Sequence, residues 1–244
     1  MKTFTIGKKK IVLKEEWMVG FITTWIVGLL AHAYRFFNFL PIWDSIYNFT
    51  GVGSTYTLGR WFLGYAGLIT SMFDLPWVNG AFSLFYISIV VILLTEMFEI
   101  KNKGMIVLCA AIFVSFPTVV SSFAYMYTAD AYLLAFLLAT LAVYLTWCVK
   151  KWGTIAGMVC LAFAMGIYQA YATVAIVLVL LYIIRQFVIE KLDFLEAVRK
   201  DLKYLGMLVG GAVLYAVILK ITLIRYNITL PGYQGIGALG IMSL

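Results

Sequence analysis

The chain has 244 residues, of which 64% are hydrophobic, 17% are aromatic and only 12% are charged. Soluble domains carry about a quarter of their residues as charges, so this composition and a mean hydropathy of +1.00 exclude a soluble protein and predict an integral membrane protein. A net charge of +7 points to nucleic acid only in a soluble protein; in a membrane protein it is interpreted loop by loop.

Apolar blocks of about 20 residues recur along the chain, and one such block suffices to cross a hydrocarbon core of about 30 Å. Blocks such as "LFYISIVVILL" are apolar on every side, whereas the strands of a membrane β-barrel alternate. The fold class is therefore predicted to be all-α, a polytopic transmembrane helix bundle. The predicted spans, about seven in number, lie near 17–34, 78–98, 104–123, 130–149, 153–169, 170–187 and 205–224.

A further apolar segment, 58–73, is predicted not to cross but to form an interfacial or re-entrant helix in the first outer loop, 35–77. If this segment does not cross, the basic residues all lie on one side of the membrane: those at 2–14, 101–103, 150–151 and 185–203. The positive-inside rule makes that face cytoplasmic. Residues 1–16 then form a cytoplasmic N-terminus, and the outer basic residues are Arg35, Arg60, Lys220 and Arg225.

Residues 188–204 are predicted to form a cytoplasmic amphipathic helix, because apolar residues recur at helical spacing in "KLDFLEAVRKDLKY". Asp193 and Glu196 have the spacing of a capping box at its start. The whole chain, 1–244, is interpreted as a single transmembrane domain.

The first outer loop is polar and holds Asp44 and Asp74. An enzyme that acts on a sugar hydroxyl needs a carboxylate at the water–membrane boundary to accept a proton, and Asp44 is placed for that role. It is equally suited to start a turn or cap a short helix. A cation near a lipid phosphate would stabilise a leaving group; Arg60 is the first candidate and Arg35 the second, and the alternative for Arg60 is snorkelling to the interface.

Three further residues near the outer ends of spans are candidates for a substrate pocket. Asp130 begins the fourth span, where an N-cap is the structural alternative. Tyr168 and Gln169 end the fifth span, where an amide is costly unless it forms hydrogen bonds. Asp74, just before Pro76, is typical of a helix start.

Metal chemistry finds little support in the sequence. The cysteines lie in or beside apolar blocks without CxxC spacing or a nearby histidine, and we interpret them as packing residues: Cys109, Cys148 and Cys160. His32, the single histidine, is also predicted to pack against its neighbours. Phosphate-loop, HExxH and GxSxG motifs are absent from the sequence.

Several fragments, in order, resemble a known family. These are "WDSIYN", "LGRWF", "FPTVVSSFAYMYTADAYLLA" and "GIYQAYATVA". Together with the hydropathy pattern, they are similar to the type II glucosyltransferase family of bacterial integral membrane proteins, the O-antigen glucosyltransferase type, from about residue 17 to about residue 240.

The resemblance implies a GT-C-like architecture in the bacterial cytoplasmic membrane, with the N-terminus inside and the active site on the outer face. It implies a polyprenyl-phosphate sugar donor, typically of glucose, and a cell-envelope polysaccharide as acceptor. Asp44 becomes the catalytic base, Arg60 a donor-phosphate contact with Arg35 second, and the pocket residues are Asp130, Tyr168 and Gln169. Ser45 follows Asp44 where related enzymes often have a second acid, so the sequence does not support a bound divalent metal, and we assign no cofactor.

Members of this family usually run to about twice this length, so we expect the chain to be the N-terminal part of a longer protein or a truncated member. Two alternatives from other functional classes stay open. One is a transporter or flippase of lipid-linked sugars, which predicts ionisable residues at mid-membrane. The other is a non-catalytic membrane subunit that associates through small residues such as those of "GMLVGGAVLYA".

Overall fold

The computed structural model describes residues 2–6, 9–47, 55–191 and 193–230. Helices dominate it, as the composition predicts. The elements in chain order are β1 (Lys2–Ile6), β2 (Lys9–Leu13), α1 (Glu15–Phe37), α2 (Trp43–Tyr47), α3 (Leu63–Ala66), α4 (Pro76–Met97), α5 (Lys103–Ser115), α6 (Pro117–Ser122), α7 (Met126–Cys148), α8 (Gly153–Ile167), α9 (Ala172–Arg185) and α10 (Phe194–Tyr226). Short 3-10 turns lie at Tyr56–Leu58, Phe123–Tyr125 and Gln169–Tyr171, and a π-helix lies at Gln186–Glu190.

The two strands were not predicted. They form an antiparallel hairpin ahead of the bundle, with Lys2 opposite Leu13 and Ile6 opposite Lys9. Threonine, phenylalanine, isoleucine and valine, which favour strands, supply most of the non-lysine residues of both segments. The membrane part of the fold is helical throughout the described residues.

Each predicted span range contains a helix, but the helices differ in length. By length and composition, the segments able to cross a membrane are Glu15–Phe37, Pro76–Met97, Lys103–Cys148, Gln169–Glu190 and Arg199–Tyr226. The third is a run of 46 residues that contains α5, α6 and α7, and α8 has only 15 residues. Because a span needs about 20 residues, the count of seven stays a prediction.

The helices of the first half alternate in direction. Gly20 of α1 lies against Val91 of α4, and Phe36 lies against Gly80, so α1 and α4 are antiparallel. Gly20 also lies against Ile106 near the start of α5, so α5 runs parallel to α1.

The chain reverses between α5 and α7. Phe116 is extended, and Pro117 starts α6 immediately after it, as expected because the residue before a proline disfavours helical geometry. Asp130 near the start of α7 is bonded to Asn79 near the start of α4, so α7 runs parallel to α4 and opposite to α5. The 46-residue run is therefore a helical hairpin.

Glycines allow the helices to approach one another closely, which is the usual packing in membranes. A Cβ at Gly28 would lie 2.4 Å from a methyl group of Leu84, and one at Gly157 would lie 2.7 Å from the carbonyl oxygen of Ala142. Gly211 of α10 faces Leu161 of α8 in the same way. These contacts join α1 to α4, α7 to α8 and α8 to α10.

The bundle has two ends with different residues. The Arg60 end holds the C-terminal ends of α1, α5 and α8 and the N-terminal ends of α4, α7 and α9. The Arg185 end holds the opposite helix ends, and there Lys14 pairs with Glu96 and Arg185 pairs with Glu99. The basic residues at 101–103, 150–151 and 185–203 lie toward this second end.

The described segment ahead of α4, residues 55–75, lies at the Arg60 end. The amide of Phe62 donates to the carbonyl of Gly166 at the end of α8 (2.8 Å), and the hydroxyl of Thr70 lies 3.4 Å from Asp130. Its only α-helix in the described part, α3, has four residues. The interfacial or re-entrant helix predicted over 58–73 is thus reduced to the short α3 and turns, and its failure to cross the membrane stays a prediction.

The predicted helix at 188–204 is not separate in the structure. Residues from Phe194 onward belong to α10, which continues to Tyr226 over 33 residues. Asp193 occupies the N-cap position, but its side chain makes no cap hydrogen bond, so the expected capping box is not formed. Leu205, Val209 and Val213 of α10 are each more than half exposed and are available to lipid.

Candidate active site

Arg60 follows a tight turn at the Arg60 end. The 3-10 turn Tyr56–Leu58 ends at Gly59, whose φ of 72° lies in the left-handed region that favours glycine. The amide of Arg60 then donates to the carbonyl of Thr55 (2.8 Å). Burial, together with the neighbouring hydroxyls of Tyr65 and Tyr226, raises the pKa of Tyr56 to about 12, so this phenol stays protonated and is no candidate base.

Side chains from two distant elements hold this turn. The amide nitrogen of Gln169 donates to the carbonyl of Leu58 (2.8 Å) and to the hydroxyl of Tyr215 (2.9 Å). The Tyr215 hydroxyl in turn donates to the carbonyl of Gly59 (3.0 Å). The predicted pocket residue Gln169 thus bonds the backbone beside Arg60, which satisfies its amide near the membrane.

The guanidinium of Arg60 is held by aromatic residues. Its Nη1 donates to the hydroxyl of Tyr132 (3.1 Å), and its Cζ lies 4.4 Å from the centroid of the Tyr168 ring. The rings of Tyr132 and Tyr168 are stacked, with centroids 5.4 Å apart. Within the described chain no carboxylate forms an ion pair with Arg60, and its buried Nε has no hydrogen-bond partner.

Asp44 lies in the short helix α2 and is exposed. Ser45, which is buried, accepts from the amide of Ile42 (3.0 Å) and donates to the Ile42 carbonyl. A capping role was the structural alternative for Asp44. In the structure, the side chain that bonds this turn is that of the next residue, Ser45. Tyr127 of α7 interacts electrostatically with both Asp44 and Arg60, so both charges lie at the Arg60 end.

Arg35, the second candidate for a phosphate contact, is engaged by the backbone. Its guanidinium donates to the carbonyls of Phe123 (2.8 Å), Leu40 (2.5 Å) and Ala124 (3.3 Å). Asp74 is within electrostatic range of Arg35, and its buried carboxylate oxygens have no hydrogen-bond partner in the described chain. Arg35 thus ties the end of α1 to the α6–α7 turn, while Arg60 retains more free donors.

Asp130 is buried, with 2% of its surface exposed. It accepts from the amide of Asn79 (3.0 Å) and lies 3.4 Å from the hydroxyl of Thr70. The Asn79 side-chain oxygen accepts from the amide of Leu75 (2.9 Å). Asp130 therefore links α7 to α4 and to the segment that carries α3; this network, rather than an open cavity, surrounds it.

The remaining sequence candidates lie in packed or peripheral positions. His32 is buried, bonds the carbonyl of Val114 (2.9 Å) and lies 4.5 Å from the Phe123 ring, as predicted for a packing residue. Among the described residues, no group of three His, Cys, Asp or Glu side chains is arranged to hold a metal. A shallow apolar depression around Arg185, lined by Phe98 and Ile184 among others, lies at the other end of the bundle.

Sequence reasoning did not single out Tyr127, Tyr132 or Tyr215. With 16 tyrosines in the chain, residue type alone gives no signal. Tyr127 and Tyr132 do lie in "FPTVVSSFAYMYTADAYLLA", one of the fragments that carry the family resemblance. Tyr215 lies in an apolar block and leaves no local pattern.

Comparisons with known proteins give one positive finding. The family model described as glucosyl transferase GtrII matches residues 33–244. The comparison with curated proteins gives no match, and the comparison with solved structures gives none either. Because the matched region covers most of the chain, including α2, Arg60 and the tyrosines around it, the protein belongs to the GtrII glucosyl transferase family.

Proposed function

We propose that the protein transfers a sugar, glucose in the first instance, from a polyprenyl-phosphate donor to a cell-envelope polysaccharide at the outer face of the bacterial cytoplasmic membrane. Family membership supports membrane glucosyl transfer. The observation that carries the finer proposal is the state of Arg60: its guanidinium is held by Tyr132 and Tyr168 rather than by a carboxylate. Its charge is thus available to an anionic group.

The orientation follows from the distribution of charge. The basic residues concentrate toward the Arg185 end, and the positive-inside rule assigns such an end to the cytoplasm. On this assignment the N-terminus is inside, and Arg60, Asp44 and the segment that carries α3 face outward. Leu68 and Ile69 of that segment are more than half exposed, which suits contact with the lipid headgroup region.

The reaction we propose is a single displacement. The acceptor hydroxyl oxygen forms a bond to the anomeric carbon while the bond from that carbon to the phosphate oxygen breaks. The acceptor proton passes to the carboxylate of Asp44, and the bonding pair leaves with the polyprenyl phosphate. Arg60 offsets the negative charge that develops on the leaving phosphate, and Arg35 stays a second, more distant candidate for that contact.

The pocket residues take different parts in this proposal. Tyr168 supplies the ring on which Arg60 lies, and Gln169 holds the turn that precedes Arg60. Asp130 fixes the segment between Leu63 and Leu75 against α4 and α7. The transporter alternative expects ionisable residues at mid-membrane, whereas Asp130 is the fifth residue of α7 and lies at the Arg60 end.

The test is a transfer assay with polyprenyl-phosphoglucose and envelope polysaccharide, on the full-length protein in vesicles of known orientation. Asp44→Asn keeps the shape of the side chain but removes its basicity, and we expect transfer to fall about 100-fold or more. Asp193→Asn, which neutralises an exposed carboxylate near the Arg185 end, is the matched control and should leave transfer unchanged. Full activity in Asp44→Asn would remove Asp44 from the mechanism.

The same vesicles separate the alternatives. A transporter would move lipid-linked sugar across the membrane without forming a glycosidic bond, and a non-catalytic subunit would do neither. Labelling of Asp44→Cys and Asp193→Cys with a membrane-impermeant maleimide, with the three native cysteines replaced by serine, reports which end faces outward. Labelling of Asp44→Cys only from the cytoplasmic side would refute an outer active site.

A further inference from the structure

Arg60 is fixed at two levels, by its backbone and by its guanidinium. The backbone is held through the carbonyls of Leu58 and Gly59, which accept hydrogen bonds from Gln169 and Tyr215. The guanidinium lies over the ring of Tyr168, the residue immediately before Gln169. One short stretch between α8 and α9 therefore sets both the position and the direction of Arg60.

Tyr215 completes this arrangement from α10. Its side chain is buried, with 3% of its surface exposed, and its hydroxyl accepts from Gln169 while donating to Gly59. The hydroxyl thus uses its donor on the turn and an acceptor site on Gln169. Because this buried hydroxyl is engaged both as donor and as acceptor, the Tyr215 side chain is held in one position.

The turn itself has no space for adjustment. A Cβ at Gly59 would lie 2.6 Å from the Gln169 side-chain nitrogen and 2.8 Å from the Tyr215 oxygen. The positive φ of Gly59 independently disfavours other residues. Gly59, Gln169 and Tyr215 therefore fit one another, and the residue whose position they determine is Arg60.

We propose that Tyr215 and Gln169 are positioning residues that hold Arg60 in the orientation in which it meets the donor phosphate. This inference rests on the proposed function, because it assigns Arg60 to the leaving group. It adds residues from α10 and the α8–α9 turn to the site, and neither is expected to touch the substrate.

The experiment measures KM and kcat for polyprenyl-phosphoglucose in the full-length protein carrying Tyr215→Phe. Loss of a buried hydrogen bond of this kind corresponds to about a tenfold effect. We expect it as a lower kcat/KM for the donor, with the KM for the acceptor unchanged. Tyr204→Phe is the matched control: Tyr204 is a buried tyrosine of the same helix that lies toward the Arg185 end, with its ring 5.5 Å from that of Tyr182, and we expect its kcat/KM for the donor to stay within about twofold of wild type.

A double-mutant cycle distinguishes positioning from a general structural role. In an Arg60→Lys background, where the planar fork and the stacking are already lost, Tyr215→Phe should add little further change. Additive effects would show that Tyr215 acts independently of Arg60 and would overturn the proposal. Gln169→Leu, measured in the same cycle, provides a second variant should Tyr215→Phe fail to fold.

Failure of this inference and failure of the proposed function give different results. If Arg60→Lys lowers kcat/KM for the donor and neither Tyr215→Phe nor Gln169→Leu does, only the positioning role is lost. If Arg60→Lys itself leaves kcat/KM for the donor unchanged, Arg60 does not act on the leaving phosphate, and both the positioning role and the proposed role of Arg60 in transfer are wrong.

Discussion

The two ends of the bundle treat their charges differently. At the Arg185 end, oppositely charged side chains form ion pairs. Arg185 pairs with Glu99 (2.9 Å) and Glu190 (3.1 Å), and Glu190 also pairs with Lys200 (3.1 Å). At the Arg60 end, Arg60 is held by tyrosines and Asp130 by an amide and a hydroxyl.

This difference separates structural charge from functional charge. An ion pair neutralises both partners, so Arg185, Glu99 and Glu190 have little field left for a ligand. A charge held by neutral dipoles keeps its field, and in a site that excludes water this field is worth much more than in bulk solvent. The comparison predicts that removal of Arg60 acts on catalysis and that removal of Arg185 acts on stability.

The largest expected effect is that of Arg60→Ala. Removal of a preorganised donor to a developing negative charge typically costs about 100-fold or more in rate, and we expect transfer to fall by this amount. Thermal unfolding in detergent should change little, because Arg60 forms no ion pair with any described residue. Arg225→Ala, which removes an exposed arginine at the end of α10, is the control; an equal loss of transfer in that variant would contradict a specific role for Arg60.

An intermediate effect is expected for Asp130→Ala. The substitution removes the acceptor for Asn79 and Thr70, and unsatisfied buried donors cost about 1–3 kcal/mol. The segment between Leu63 and Leu75 should loosen, which limited proteolysis of the purified protein can measure. Asp130→Asn keeps an acceptor of similar shape and should be milder; equal protease resistance in wild type and Asp130→Ala would show that Asp130 does not hold this segment.

The smallest effect is expected for Arg185→Ala. Its side chain is 13% exposed, but that of Glu99 is 60% exposed, so solvent screens part of the lost attraction and we expect a destabilisation of about 1–2 kcal/mol. The rate of transfer per folded molecule should stay the same. Lys103→Ala breaks the exposed pair with Glu15 and should destabilise the protein less than Arg185→Ala does. A large loss of transfer in Arg185→Ala would contradict the distinction between the two ends.

Hydropathy was sufficient to predict the helices and the end at which each basic group lies. Each predicted span contains a helix because long apolar segments in a membrane must satisfy their own backbone hydrogen bonds. Boundaries were less predictable: the separate amphipathic helix expected at 188–204 does not form, since its residues from Phe194 onward are continuous with the last span in α10. The hairpin of β1 and β2 lies in a polar segment where hydropathy gives no signal.

Within the site, single residues were easier to predict than their partners. Asp44 and Arg60 stand out because charges are rare in this chain. Their neighbours come from distant parts of the sequence: Tyr132 lies 72 residues from Arg60, and Tyr215 lies 156 residues from Gly59. Two of the three carbonyls that Arg35 binds, those of Phe123 and Ala124, lie in the α6–α7 turn, and no local pattern predicts these bonds; a contact of Arg35 with the phosphate stays a prediction.

The unbroken length of α10 has a mechanical consequence. A helix of 33 residues is about 50 Å long at 1.5 Å per residue, and it behaves as a lever whose far arm carries the Tyr215 hydroxyl. Long helices respond to bilayer thickness by tilting, and a tilt of this lever displaces the hydroxyl that holds the Gly59 carbonyl. If Tyr215 positions Arg60 as proposed, a change in membrane thickness that tilts α10 would also redirect the Arg60 guanidinium.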